Sequence, residues 1–133
     1  MGAFIPWYKQ TMFEWTIEYL AGENILYLKS RGIMDSSSAN VMVKALADTA
    51  VEYKCLTHLV DHRETTFALS FLEYFNRPAI NQRLGVSRSF KTAMVFVQLT
   101  RDTMFMETVF RNRGYNLRHF TDMDEARVWL MQK

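Results

Sequence analysis

Between Met12 and Leu20 the chain alternates, with Phe13, Trp15, Ile17 and Tyr19 on one side of an extended backbone and Glu14, Thr16 and Glu18 on the other. A period of two marks a strand with one buried face. The short link Ala21-Gly22-Glu23-Asn24 leads into a second apolar run, Ile25-Leu26-Tyr27-Leu28-Lys29, so the pattern predicts an antiparallel hairpin. After Gly32 the period lengthens. Asp35 and the serines 36–38 supply capping oxygens, and Met42, Leu46, Ala50 and Tyr53 follow at helical spacing, which predicts a first helix to about Lys54. Leu56-Thr57-His58-Leu59-Val60 is short and largely apolar, as in a strand covered on both faces, and it ends at Asp61.

Beyond that strand, Thr65 and Thr66 offer capping hydroxyls for a second helix over Phe67–Phe75, in which Phe67, Phe71 and Phe75 recur every four residues. Asn76-Arg77-Pro78 reads as its stop, and the stretch to Ser89 as the longest loop. Ala93-Met94-Val95-Phe96-Val97 repeats the buried-strand pattern. A helix capped by Thr100 or Asp102 follows, with Phe105, Met106, Val109 and Phe110 on its apolar face and Gly114 at its end. Tyr115–Phe120 predicts a fifth strand, and Asp122 to Leu130 a closing helix. Strand, strand, helix and then three strand–helix steps call for an α/β fold: a mixed five-stranded sheet with an N-terminal antiparallel hairpin and four helices. Residues 1–11 read as an N-terminal arm and 12–133 as a single domain. Within the arm, Phe4-Ile5-Pro6-Trp7-Tyr8 is apolar enough to pack on the domain or to join two copies as a homodimer.

Composition narrows the class. At 133 residues with 49% apolar and 14% aromatic side chains, the chain carries enough core for one folded domain and too much for disorder. The single Cys55 has no partner for a disulfide, a zinc knuckle or a redox pair, which points to a reducing compartment. No apolar run approaches the roughly 18 residues needed to cross a bilayer, and the first residues lack a basic segment followed by an apolar one. The expected location is therefore the cytoplasm, free or peripheral to a membrane. Net charge is only +2, but residues 1–76 are net acidic and residues 77–133 net basic. No helix has a continuous basic face and the basic loop lacks interleaved aromatics, so nucleic acid is not an expected partner.

From Ile25 onward, the element order resembles the SpoIIAA-like (STAS-like) family. So do Gly32-Ile33-Met34-Asp35 before the first helix, Leu59-Val60-Asp61 ending the third strand, Ala93-Met94-Val95-Phe96, and Asp124-Glu125-Ala126-Arg127-Val128-Trp129-Leu130. The resemblance implies that sheet-and-helix architecture and a non-enzymatic regulatory or binding role without a cofactor. Classical members resemble anti-sigma-factor antagonists, in which an Asp-Ser-Ser-Gly motif opens the second helix and a serine there is phosphorylated. Here the corresponding region, Asp61 to Ser70, departs from that motif, and Asp35-Ser36-Ser37-Ser38 lies one element earlier. A divergent branch of the family is associated with membranes or lipid-like ligands held between movable helices.

Two groups of residues carry candidate chemistry. The first is the aromatic stripe Phe67, Phe71 and Phe75 with the basic residues Arg77, Arg83 and Arg88, suited to a lipid-like ligand or an anionic membrane surface. Core packing is the ordinary reading of such a stripe, and what keeps the binding alternative is that Leu69, Leu72 and Tyr74 make the helix apolar nearly all round. The second is the set of helix-start groups that would favour phosphate or a phosphorylated hydroxyl sensed by a protein partner: Asp61, His62, Thr65, Thr66 and Ser70, with Ser36 and Ser37 at the first helix. For the serines, plain capping is the competing reading. His62 is the one candidate acid–base residue for a hydrolase or transferase, but no nucleophile elbow accompanies it. His58 and His62 on one strand would stand roughly 13 Å apart, too far for a shared metal. His58 is expected instead to be a hydrogen-bonded core residue.

Overall fold

A computed structural model describes residues 12–133. The N-terminal arm, and with it the expected dimer contact, lies outside the described residues. The elements run β1 (Phe13–Leu20), β2 (Ile25–Met34), α1 (Ser36–Tyr53), β3 (Thr57–Phe67), α2 (Phe71–Arg83), β4 (Lys91–Val95), α3 (Arg101–Asn112), β5 (Asn116–Phe120) and α4 (Met123–Met131). The five strands lie in sequence order in one mixed sheet. β1 pairs antiparallel with β2, and every later pair is parallel. The expected sheet, hairpin and four helices are all present.

Alternation along the strands sends their side chains to two layers. On one face Leu28, Val60 and Phe13 meet Ala39 and Met42 of α1, while Phe96 and Leu117 meet Tyr74 of α2 and Met106 and Phe110 of α3. On the other face Ile25, Leu59, Ala93 and Val95 pack on Ala126 and Leu130 of α4. Central strands buried on both faces produce the continuous apolar runs seen in the sequence. Local chemistry places most helix starts: Asp35 caps α1 in a reciprocal pair with Ser38, Thr100 caps α3 with Thr103, and Asp122 caps α4 through the Glu125 amide.

Several boundaries differ from the sequence expectation, and those at the carboxyl end of the sheet concern the candidate site. β2 continues to Met34 and β3 to Phe67, the two tails pairing through Ile33 with Thr66 and Met34 with Phe67. Thr65, Thr66 and Phe67 are therefore strand residues and not the start of α2. The helix begins instead at Phe71, where Ser70 accepts the Glu73 amide and Glu73 returns a bond to the Ser70 amide. It also runs through Asn76-Arg77-Pro78 to Arg83. Pro78 removes one helical hydrogen bond, but Pro78 and Arg77 are both buried, and Arg77 ties α2 to α1 by donating to Asn40 at 2.7 Å while also donating to Asn81 on α2 itself at 2.6 Å. Packing thus outweighs the local stop signal. β4 covers Lys91–Val95, two residues earlier than expected, because Lys91 and Thr92 extend its pairing with both neighbours.

Candidate functional site at the carboxyl end of the sheet

The parallel strands end beside the starts of α2 and α3, and one irregularity shapes that end. Lys29 stands opposite Asp61 but Arg31 stands opposite Glu64, so β3 holds one more residue than β2 across this interval. Such a bulge re-aims the side chains next to it. His62 points under α2 and α3, buried, with Nδ1 2.5 Å from the Ser30 hydroxyl. Ser30 Oγ is in turn 2.6 Å from Thr65 Oγ1. This hydroxyl–hydroxyl–imidazole chain holds the bulge to β2.

Asp61 faces the opposite side of the sheet. Its carboxylate accepts from the Arg63 amide at 3.0 Å, from Arg63 Nε and Nη2 at 2.9 Å each, and from the Tyr27 hydroxyl at 3.4 Å. Burial acts to raise the Asp61 pKa, but the Arg63 hydrogen bonds outweigh it and hold the carboxyl below its ordinary value. Asp61 and His62 consequently do not form an acid–base pair.

Burial pushes the His62 pKa down to about 4, against a smaller opposing pull from Asp61. A second buried histidine, His119 on β5, is pushed down to about 3 by burial and then by His62. The Phe96 ring lies between them, 5.8 Å from His62 and 4.7 Å from His119. The Thr103 backbone pulls the His119 pKa weakly in the opposite direction, upward, but neither ring nitrogen of His119 makes a well-formed hydrogen bond among the described residues. Both imidazoles are neutral near pH 7, and a base of pKa about 4 accepts protons poorly there. Ser30, the hydroxyl next to His62, is buried, which leaves this pair without an accessible nucleophile.

A cleft of about 340 Å³ opens above these residues, lined by His62, Thr65, Phe67, Tyr74, Phe96 and Thr100 among others. Beside it lies the most exposed apolar surface of α2 and its surroundings: Phe71 is 67% exposed, Leu72 65%, Met104 53% and Val97 72%. Phe71 stacks on Phe105 at 4.3 Å, which joins the first turns of α2 and α3 into one patch. Single exposed apolar residues are ordinary, but a contiguous group marks an interaction surface.

The structure sorts the predicted residues. Phe71 and Phe75 lie on the outer side of α2, with the Arg113 guanidinium 4.7 Å above the Phe75 ring. Phe67 does not belong to that stripe. It sits on β3 and packs its ring against His62 at 5.0 Å and Phe96 at 5.6 Å. Arg77 is not a surface cation, because its guanidinium is buried between α1 and α2. Arg83 is exposed in the last turn of α2, and Arg88 donates to the Arg113 carbonyl and covers the Tyr115 ring. Among the hydroxyls, Thr65 is bound to Ser30, Thr66 is exposed on the strand, and Ser70 is the exposed cap of α2. Ser36 opens α1 and receives Arg77 at 3.4 Å, while Ser37 is exposed.

His58 is the hydrogen-bonded core residue expected, with Nε2 3.0 Å from the Cys55 carbonyl. Among the described residues no three His, Cys, Asp or Glu side chains converge as metal ligands would, and no helix is long and apolar enough to cross a membrane. Sequence reasoning missed Ser30, His119, Met104 and the Phe105 stack. Alternation in Leu117-Arg118-His119 was the one local sign that His119 faces inward.

Comparison with solved structures places this arrangement. An anti-sigma factor antagonist from Mycobacterium paratuberculosis superimposes with a TM-score of 0.62 at 13% identity, over 90% of this chain and 95% of that one. A DUF3478-family protein from Shewanella loihica, described as having a SpoIIAA-like fold, superimposes with a TM-score of 0.60 at 18% identity, over 89% and 93%. The chain has the SpoIIAA-like fold. No protein-family model and no curated protein sequence matches it. In this SpoIIAA-like sheet the cleft and the apolar patch share the end where open α/β sheets place ligands, outside the carboxyl ends of the parallel strands.

Proposed function

We propose that the chain is a non-enzymatic regulatory domain that docks a protein partner on the outer face of α2 and α3, with Ser70 as the point where added charge controls docking. The observation that carries this reading is the stacking of Phe71 on Phe105 across two helix starts, with Leu72 and Met104 exposed on the same two helices and the exposed cap Ser70 beside Phe71. Two neighbouring helices form a seat for an amphipathic helix, whose apolar face would cover the patch. Arg101 and Arg113 are on or beside α3, and they favour acidic flanks on that partner. One structure of the same fold is that of an anti-sigma factor antagonist, which supports a protein as the occupant.

A phosphoryl group on Ser70 would lie at the positive end of the α2 dipole and would be tolerated by the fold. It would also set nearly two negative charges beside Phe71 and Leu72, where an apolar partner surface would have to desolvate them.

The test is quantitative co-purification from the native cell with wild type, Phe71→Asp and Ser70→Asp, using Glu18→Gln on β1 as the control. Loss of an anchor aromatic from an interface centre typically costs 2 kcal/mol or more, roughly a thirtyfold weakening. A partner retained by the control and lost by both patch variants is the expected result; identical profiles for all four proteins would end the proposal. Flotation with anionic vesicles distinguishes the lipid reading of the same patch. Wild type that floats while Phe71→Asp does not would replace the protein partner by a membrane surface.

A further inference from the structure

A second cavity, of about 60 Å³, lies away from the docking face, between α1, the sheet and the loop after α2. A single water needs roughly 10–15 Å³ by this kind of measure, so the space admits several waters or one small organic molecule. Its walls are Met42, Leu46, Val60, Val86, Phe90, Phe110 and other mainly apolar residues, and no Asp, Glu, Lys or Arg lines it. Walls of this kind give clustered water too few partners, and apolar cavities of this character stay dry or take organic guests.

Six polar residues, His58, Asn81, Ser87, Thr92, Tyr115 and Asn116, interrupt the apolar lining, and two of them, His58 and Tyr115, are buried with an unpaired polar atom. His58 is fully buried, and its Nδ1 has no hydrogen-bond partner among the described residues. Because its Nε2 faces the Cys55 carbonyl, which can only accept, the proton sits on Nε2 and Nδ1 is a bare acceptor. Tyr115 is likewise buried, and its hydroxyl has no partner among the described residues. Its ring is fixed from two sides, by Phe110 edge-on at 5.6 Å and by the Arg88 guanidinium at 4.7 Å. Unpaired polar atoms in a core are costly and call for an explanation. Two of them on the wall of one apolar space have a common one.

We propose that this cavity is a binding site for a small, neutral, mostly apolar molecule with one hydroxyl or N–H donor, which donates to His58 Nδ1 and pairs with the Tyr115 hydroxyl. The lack of any charged lining residue excludes ions, and the volume excludes a lipid chain. Asn116, exposed at the rim, marks where a ligand would enter. The site is separate from α2's outer face and does not depend on the docking reading.

Phenol is a suitable probe, because it has the shape and the single donor, and toluene is the matched control without the donor. In a titration followed by backbone amide NMR, phenol should shift the resonances of His58, Val86 and Tyr115 saturably. Toluene should bind about tenfold more weakly, the weight of one hydrogen bond. Tyr115→Phe should weaken phenol and leave toluene unchanged, and Val86→Phe, which fills the space, should remove both. If Val86→Phe does not fold, the Tyr115→Phe comparison decides by itself. Phenol that leaves these amides unmoved in wild type would overturn the proposal. So would equal affinity for phenol and toluene, or a high-resolution structure in which ordered water bridges His58 and Tyr115 and phenol does not displace it.

Discussion

Gly32→Ala is expected to destabilise the protein by about 3–5 kcal/mol, the largest effect of any single methyl addition in the fold. Gly32 has φ +105°, a backbone region that side chains with a Cβ rarely occupy. A Cβ there would also fall 2.1 Å from the Met12 carbonyl oxygen and 3.1 Å from the Phe13 Cα. These are backbone atoms held in place: Ile33 donates to that same Met12 carbonyl at 2.7 Å, and Phe13 is paired opposite Gly32. No side-chain rotation relieves the clash. Gly22 provides the control, since a Cβ there would meet nothing within 4 Å and Gly22→Ala should change stability by no more than about 0.5 kcal/mol. Urea unfolding of the two variants measures both. A Gly32→Ala midpoint indistinguishable from wild type would mean that β1 and β2 do not approach as described. The consequence reaches the site, because Ser30, two positions earlier on β2, carries the hydrogen bond to His62.

The second large effect is on the acid side. His62 and His119 are pushed to about 4 and about 3 in the folded protein, mainly by burial. In the unfolded chain both titrate near 6.5. Depressed folded values mean that the unfolded chain takes up protons first, so stability is full above about pH 6.5 and falls as pH drops toward the folded values. Between pH 7 and pH 5 the loss is about 2 kcal/mol for each histidine, and the two losses interact because the rings repel each other once charged. His119→Leu should therefore flatten the pH dependence. It removes two unpaired ring nitrogens at similar volume, so it should cost little at pH 7 and leave the variant about 2 kcal/mol better off than wild type at pH 5, relative to pH 7. Urea midpoints for both proteins at the two pH values test this. Parallel slopes would show that His119 is not the buried neutral group described. The groups around the pair do not reverse the sign: Asp61 raises His62 only in part, and the Glu107 carboxylate is occupied by the His119 backbone amide at 2.6 Å.

Much of the architecture was legible because its signals are local. The alternation of Phe13, Trp15, Ile17 and Tyr19, the Asp35 and Thr100 caps and the apolar face of α3 each depend on neighbours within a few positions. Thr65-Thr66-Phe67 was not legible. Two hydroxyls before an aromatic stripe read as a helix start, but β-branched threonines also suit a strand, and the choice was made by the extension of β2 to Met34 alongside them. Pro78 misled in the same way. Its stop signal is real, yet the burial of Arg77 and its bonds to Asn40 and Asn81 carry the helix through. At the site His62 stood out by its chemistry, but its partner Ser30 is 32 positions away, and nothing in the sequence marks that distance.

The sequence by itself determined the period of each segment, and with it a mixed sheet, a leading hairpin and four helices bearing apolar side chains, but not where the aromatic helix begins, since Phe67 and Leu69 fall outside it. Only the tertiary structure decided which of those side chains stay wet. Tyr74 turns into the core with Phe96 and Phe110, while Phe71 and Leu72 on the same helix stay outside. The physical reason is that periodicity fixes angles around a helix axis, whereas burial depends on which neighbours cover each angle, and β3, α1 and α3 reach α2 from distant parts of the chain.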